Sequence, residues 1–448
     1  MPPKITVIGG GSYNWAPTII NDILLTPGLE GSHIVLEDIS PEPLGAIHRL
    51  GEQMLADKES DCTLSSTTNE EEALEGADFV AVTIATGGFE AMRHDLEIPL
   101  KYGVNQTVGD TVGPGGLFRG LRSIPVLVGI AKNMERLCPD AWLINYTNPM
   151  ATLCLAVQQE TSIKTVGLCH ELQGVLAIVR SMLKLHDDAH LEYEVAGVNH
   201  FIWLLNLKIE GMDGFEMLRE WMKNPTPFTV PDQDIKEMFA PSTIDPFRLK
   251  LELFDKLGYL PAAGDRHIAE FFDCYLTDFE VAEKKYGIKP TSIAERRDSW
   301  HAAMRAYVYG MLEGNFPLPA AKSGETISDL IAALAEKKPP IVDILNLLNQ
   351  GQISNLPHGI IVETLGKVSA EGTAPLGSIA LPREIRNFVL PHAENQRLVV
   401  KAALEGDRRA ACEFLERDPL SRTCRNIDKM LDELFAAHRK YLPVFKLP

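Results

Sequence analysis

The run Lys4-Ile-Thr-Val-Ile8, which breaks into Gly9-Gly10-Gly11-Ser12, constrains the fold more than any other stretch of this 448-residue chain. Apolar and β-branched residues in a short run predict a buried parallel strand, and the glycines predict the turn by which such a strand cradles a phosphate. Gly9 and Gly11 supply the tight turn and the close backbone approach. The free N–H groups of the next helix favour an anion there, and Ser12 adds a hydroxyl. The third fingerprint position is Asn14, so the dinucleotide motif is incomplete. A second strand from His33 ends in Asp38, placed to hold a ribose and to repel a 2′-phosphate, which favours NAD over NADP. A glycine turn in any α/β domain is the competing reading; the strand before, the helix after and the acid beyond weigh against it.

Strand and helix alternate from residue 4 to about 185. Pro41 to Lys58 reads as a helix, and Asp78 to Ala85 as a strand ending at Thr86-Gly87-Gly88. Ala141 to Pro149 and Thr165 to His170 read as further strands, each followed by a helix. This pattern predicts a doubly wound, Rossmann-like parallel sheet, whose ligands bind at the carboxyl ends of the strands. Those ends carry the glycine loop, Asp38, Thr86, Asn148 and the pair Cys169-His170. From Leu191 the pattern changes: Glu194 to His200 and Phe201 to Ile209 predict a separate mixed sheet, and long helical segments follow it. The division expected is an NAD-binding domain over 1–190 and a mixed α+β domain over 191–448 for substrate, metal and oligomerisation.

A formal net charge of −18 disfavours nucleic acid and anionic membrane as partners, since both attract basic surfaces. No apolar run reaches spanning length, and the N-terminus enters a strand directly. The seven cysteines are an odd count without paired spacing, so free thiols and a cytoplasmic protein are expected.

Cys169 at a strand end and His200 after another strand can share a divalent cation, with positions left for water or substrate oxygens. A buried thiol and a satisfied core histidine are the plainer reading of two residues so far apart.

The set GGGS at 9–12, IPLKYG at 98–103, GPGG at 113–116, TNP at 147–149, CHE at 169–171 and GVNH at 197–200 resembles family 4 of the glycoside hydrolases. The resemblance is strong over the first 200 residues and looser beyond them. Ordinary lactate and malate dehydrogenases lack the combination of GPGG with the Cys and His positions. The resemblance implies an NAD-dependent cycle instead of two-carboxylate hydrolysis. Oxidation at sugar C3 acidifies the C2 proton, the aglycone leaves C1, water adds, and the hydride returns to C3. A cation across O2 and O3 would stabilise the enediolate.

By the same resemblance Cys169 and His200 are the metal ligands and Mn2+ the metal, although a thiolate alone suggests Zn2+. Asn148 orients the C2 and C3 hydroxyls near the nicotinamide. Asp265 occupies the base position of members acting on unphosphorylated sugars, and the loop tyrosine of the phosphosugar members has no match. His170 takes the position of the general acid, with Glu171 a second candidate; as a first-turn carboxylate Glu171 is also favoured by the helix dipole. His170 to Gln173 resembles the unphosphorylated-hexoside or uronide branch. Arg93, Arg119, Arg266 and His267 are then candidates to clamp a carboxylate or sulfonate at C6. A small-molecule glycoside is thus the expected partner: a glucoside or galactoside, a uronide or a sulfoquinovoside. The resemblance further implies a homodimer or homotetramer. A net NAD-dependent dehydrogenase of a sugar or hydroxy acid is the rival reading, and it requires stoichiometric NADH.

Overall fold

The computed structural model describes residues 2–230, 233–241 and 244–445. Six strands form the first half of the sheet: β1 (Lys4–Ile8), β2 (His33–Glu37), β3 (Thr63–Thr67), β4 (Phe79–Val82), β5 (Trp142–Asn145) and β6 (Lys164–Gly167). They are parallel and lie in the order β3-β2-β1-β4-β5-β6. This is the doubly wound order with its switch point between β1 and β4, where ligands collect. Ile5 and Val7 of β1 are fully buried, so truncating either to alanine costs about 2–5 kcal/mol. Thr6, also buried, donates its hydroxyl to the Ala73 carbonyl at 2.8 Å, which satisfies its polar atom inside the core.

The strands after residue 190 do not form a sheet of their own. They are β7 (Leu191–Val198), β8 (Phe201–Ile209), β9 (Met212–Asp213), β10 (Leu260–Pro261), β11 (Ile341–Leu348), β12 (Ile361–Ser369) and β13 (Gly372–Pro375). The sheet continues past β6 as β11-β12-β7-β8-β10, all antiparallel, with β13 on β12 and β9 on β8. The expected separate sheet is therefore corrected: β11 is inserted beside β6 through the pair Asn346 and Gly167, and it ties the two halves into one sheet. A strand whose pairing residue lies 179 positions downstream leaves no local sign of where it will pair.

Helices cover both faces of the sheet. Trp15–Leu24, Pro41–Asp57 and Ile327–Leu334 supply apolar residues to one core. Gly113–Leu137, Met150–Glu160 and Arg383–Glu405 supply them to the other. Among the described residues, no helix is long and apolar enough to cross a membrane.

Candidate active site

The glycine loop leaves β1 with Gly9 at a φ of +89°, where a Cβ would stand 2.2 Å from the Thr83 carbonyl oxygen. Only glycine fits that turn. A Cβ on Gly11 would lie 2.8 Å from an oxygen of Asp38, whose carboxylate accepts the Gly11 N–H at 3.0 Å. Asp38 thus closes the far side of the loop, the position of a ribose-binding acid. The Ser12 hydroxyl accepts the Trp15 N–H at 3.1 Å and keeps its own proton for a ligand. Two polar atoms at neighbouring strand ends, Thr86 Oγ1 and Asn148 Oδ1, are buried without a hydrogen-bond partner. Such atoms await a polar ligand, and with the bare glycine backbone they suit a dinucleotide.

A second group converges beside Asn148. Ligand atoms of Asp110, His200 and His267 all lie within 4.8 Å of one another. Each comes from a different local structure. Asp110 follows a loop whose Thr107, Val108 and Gly109 amides all donate to one oxygen of the buried Glu270, at 2.7, 2.7 and 3.0 Å. Arg266 braces the same loop through the Thr107 carbonyl, 2.9 Å away, and the Thr291 hydroxyl. His200 sits with Asn199 in the two-residue turn between β7 and β8, at a φ of +62° that only glycine adopts freely. His267 belongs to the short helix Asp265–Glu270.

Hydrogen bonds align these side chains. Asn148 Nδ2 donates to Asp110 at 3.2 Å, and the Thr111 hydroxyl stands 2.7 Å from Asp110 Oδ1 and 2.8 Å from His200 Nδ1. The two imidazole rings lie 3.9 Å apart between centroids. Burial alone would raise the Asp110 carboxyl, but His267, His200 and Arg119 outweigh it and hold the group well below the ordinary range. Burial and His267 push His200 down to about 3, so it presents a neutral ring that can bind a cation. One carboxylate and two imidazoles are a donor set for a divalent metal.

Cys169 adjoins this group without belonging to it. Burial raises its thiol well above the ordinary value, against a smaller opposing pull from the side chain of Asn199, the residue before His200. Glu171 opens the helix Glu171–Leu183 and accepts the Gly264 N–H at 2.5 Å, with His267 Nε2 3.8 Å from its other oxygen. Burial raises its carboxyl, yet His267 and His170 overcome that and bring it to about 2. His170 stands half outside, 3.7 Å from Glu325 and against Trp15 of the first helix.

The remaining expected residues are placed differently. Asp265 is fully buried, and its oxygens accept the Leu249 and Lys250 amides at 2.8 and 3.0 Å, at the start of the helix Arg248–Leu257, with the Lys250 ammonium also 3.0 Å away. Burial and the neighbouring Asp245 raise its carboxyl against the pull of Lys250. Arg93 lies on the surface, 47% exposed, and pairs with Glu97 one turn on. Arg266 is the brace of the Asp110 loop, with its Nε buried and unpartnered.

Two residues outside the sequence reading complete the setting. Asp110 itself sits in a glycine-dense loop with no recognisable spacing to His200. Arg296 lies on the π-helical segment Ala294–His301, a rare geometry concentrated at functional sites. Its half-buried guanidinium interacts electrostatically with Asp110 and Arg119, and its Nε is buried without a partner. The same segment ends in His301, packed on Tyr13 of the glycine loop at 5.5 Å, so it spans both regions.

The chain matches the sequence model described as family 4 glycosyl hydrolase over residues 4–185 and that of the family 4 glycosyl hydrolase C-terminal domain over residues 195–421. It is 34% identical to an α-galacturonidase of Thermoanaerobacter italicus, across 98% of this chain and 97% of that protein. It is 32% identical to an α-galactosidase of Bacillus subtilis, across 99% of this chain and all 100% of the other. Among solved structures, a Bacillus subtilis protein described as the glucosidase lplD superposes with a TM-score of 0.85 at 29% identity, over 96% of this chain and 99% of that one. A 6-phospho-α-glucosidase from gut microorganisms, in complex with NAD and Mn2+, shares the fold at a TM-score of 0.83 and 20% identity, with both chains covered completely at 100%.

Proposed function

This chain belongs to family 4 of the glycosyl hydrolases and is a glycosidase of that NAD- and metal-dependent type, and we propose that its substrate is an unphosphorylated α-hexoside carrying a carboxylate at C6. The observation that carries this reading is the pair of guanidinium groups facing Asp110. Arg119 spends only its Nε, on the Asn148 carbonyl at 2.9 Å, and among the described residues neither Arg119 nor Arg296 has a carboxylate within ion-pairing distance. Burial depresses both groups although Asp110 pulls against it, and the guanidinium nitrogens that these half-buried side chains leave unspent suit an anionic group on the ligand. The α-galacturonidases among its relatives support the same class. A sulfonate at C6 meets the same donors, so a sulfoquinovoside is the nearest competitor. Seven free cysteines suit a cytoplasmic setting.

Bound NAD and a divalent cation supply reversible hydride transfer at C3 and a Lewis acid for the sugar oxygens. The chain's own residues do the rest. Gly9, Gly11, Ser12 and Asp38 are read as the cofactor cradle, with Thr86 and Asn148 at the nicotinamide end. Cys169 and His200 are read as cation ligands, and Asp110 and His267 are added to them by their convergence. Asn148, fixed by Asp110 and Arg119, orients the hydroxyls at C2 and C3. His170 and Glu171 line the side from which a leaving group is protonated. His170 is the more accessible of the two, while Glu171, held at about 2, is an anion at neutral pH and suits charge stabilisation better than proton donation. Asp265 serves as the C2 base only by releasing the Leu249 and Lys250 amides. His267 is no alternative while it holds the cation, because its Nδ1 is the nitrogen that faces Asp110, at 3.9 Å. Solvent-deuterium exchange at C2 in the D265N variant tests the base role of Asp265.

The reading is tested by aglycone release from aryl α-galacturonide, α-galactoside, α-glucoside, sulfoquinovoside and a 6-phosphoglucoside, with and without NAD+ and Mn2+. Release of the galacturonide that needs both additives, without NADH accumulating, is expected. Preference for a neutral hexoside would overturn the carboxylate assignment, and accumulating NADH without release would make the chain a net dehydrogenase.

A further inference from the structure

Glu363 is the third residue of β12, 1% exposed, on a strand flanked on both sides by β11 and β7. Among the described residues it has no lysine, arginine or histidine partner. Its oxygens accept only two neutral amides: Asn346 Nδ2 of β11 at 2.9 Å and Asn199 Nδ2 at 3.3 Å. A buried carboxylate held by neutral donors alone costs several kcal/mol, far more than two such bonds return. A carboxyl at this depth stays ionised only where a positive charge is brought near it, and otherwise takes up a proton. Burial pushes the group up to about 7 against the pull of the two amides.

The amides that Glu363 orients lead to the metal-binding region. Asn199 precedes His200 in the β7–β8 turn, and Asn346 Nδ2 also reaches the carbonyl of Gly167, two residues before Cys169, at 3.5 Å. Oδ1 of Asn199 is buried without a partner, as is Oδ1 of Asn346, so the acceptor-only carboxylate is what dictates how both amides face. We infer that Glu363 is a positioning residue for the divalent cation: through Asn199 it fixes the His200 turn, through Asn346 the end of β6 that leads to Cys169, and its charge complements the cation. The inference rests on the reading of Cys169 and His200 as ligands. Carboxylates behind first ligands act in this way elsewhere, orienting them and raising affinity.

The test is calorimetric titration of Mn2+ into wild type, E363Q and C169S, with NAD+ affinity measured on each and the Co2+-loaded proteins compared by their thiolate-to-metal absorption. Glutamine keeps the shape but offers Asn199 a half-donor group. E363Q should weaken Mn2+ binding by about 10- to 100-fold, displace the Co2+–thiolate band and leave NAD+ affinity unchanged. If E363Q also loses NAD+ binding, Asn199→Ala cuts the link to the His200 turn without touching the sheet and should show the same metal loss. Unchanged Mn2+ affinity in E363Q, or in N199A where that variant is needed, while C169S fails to bind, would overturn the role of Glu363 and leave the metal reading standing. Wild-type affinity in C169S would overturn the metal reading and this inference with it.

Discussion

Arg122 grips both carboxylate oxygens of Asp95, with the Nη1 contact at 2.9 Å and each side chain only 2% exposed. The Arg122 Nε donates in addition to the Thr86 carbonyl at 2.7 Å, so the pair anchors the loop that ends β4 beside the cofactor cradle. Asp95→Asn leaves a guanidinium buried without its counter-charge and should cost about 3–5 kcal/mol. Urea unfolding checks this. The double change to Asp95→Leu and Arg122→Met should recover much of the loss, because it removes both charges together. A single-variant loss below about 1 kcal/mol, the value of an exposed pair, would show that the pair carries little of the fold.

Asp418 holds the far end of the GPGG segment. It is fully buried and accepts the Ser421 N–H at 2.9 Å, the Ser421 hydroxyl at 2.8 Å and the Gly113 N–H at 3.4 Å. Burial nevertheless raises it from 3.8 to about 6. A carboxyl raised in the folded state favours folding below its ordinary value, and that advantage is lost as pH rises through the folded one. The apo protein should therefore lose on the order of 3 kcal/mol of stability from this group between pH ~4 and ~6 and no more above it. Asp418→Asn should flatten that stretch of the pH–stability curve, as urea midpoints across it would show. An unchanged slope would mean the three hydrogen bonds outweigh burial.

The first half of the fold is legible in the chain because β1, β2, β4, β5 and β6 are short apolar runs that end in turn residues, and this signal is local. β11 and β12 are harder to read, since Asp343 and Glu363 place charge at positions that prove to be buried. A buried acid contradicts the pattern from which burial is inferred. The site divides in the same way. Gly9, Gly11 and Asp38 lie on one local motif, and Cys169 and His200 are marked by family resemblance. Asp110, His267 and Arg296 come together only through tertiary structure, with Glu270 and Arg266 shaping the loop that delivers Asp110.

Arg296 should govern specificity more than turnover. Arg296→Met keeps much of the side-chain volume and removes the charge that faces Asp110 and Arg119. A hydrogen bond to a charged group is worth about 1.5–3 kcal/mol. The variant should then lose roughly 10- to 100-fold in kcat/KM for an aryl α-galacturonide. Activity on the matching α-galactoside should hold or rise. Equal losses on both substrates would assign Arg296 to the shape of the π-helical segment instead of the sugar carboxylate.

His200 offers a separation of function from stability in one residue. Its φ of +62° at the β7–β8 turn places an ordinary side chain in the left-handed region. That conformation costs an L-residue about 1–2 kcal/mol, and glycine escapes the cost. Elsewhere in a strand connection glycine is the poorer choice, because it loses more chain entropy on folding. Here the order should invert, with His200→Gly more stable than His200→Ala by about 1 kcal/mol. Both variants lose the imidazole, so both should fail to bind Mn2+ and to release aglycone, while NAD+ affinity stays near that of wild type. Thermal unfolding and Mn2+ titration on the two proteins measure each half independently. If the alanine variant is the more stable, the turn does not hold His200 in a strained conformation; if either variant binds Mn2+ normally, the imidazole is not a ligand.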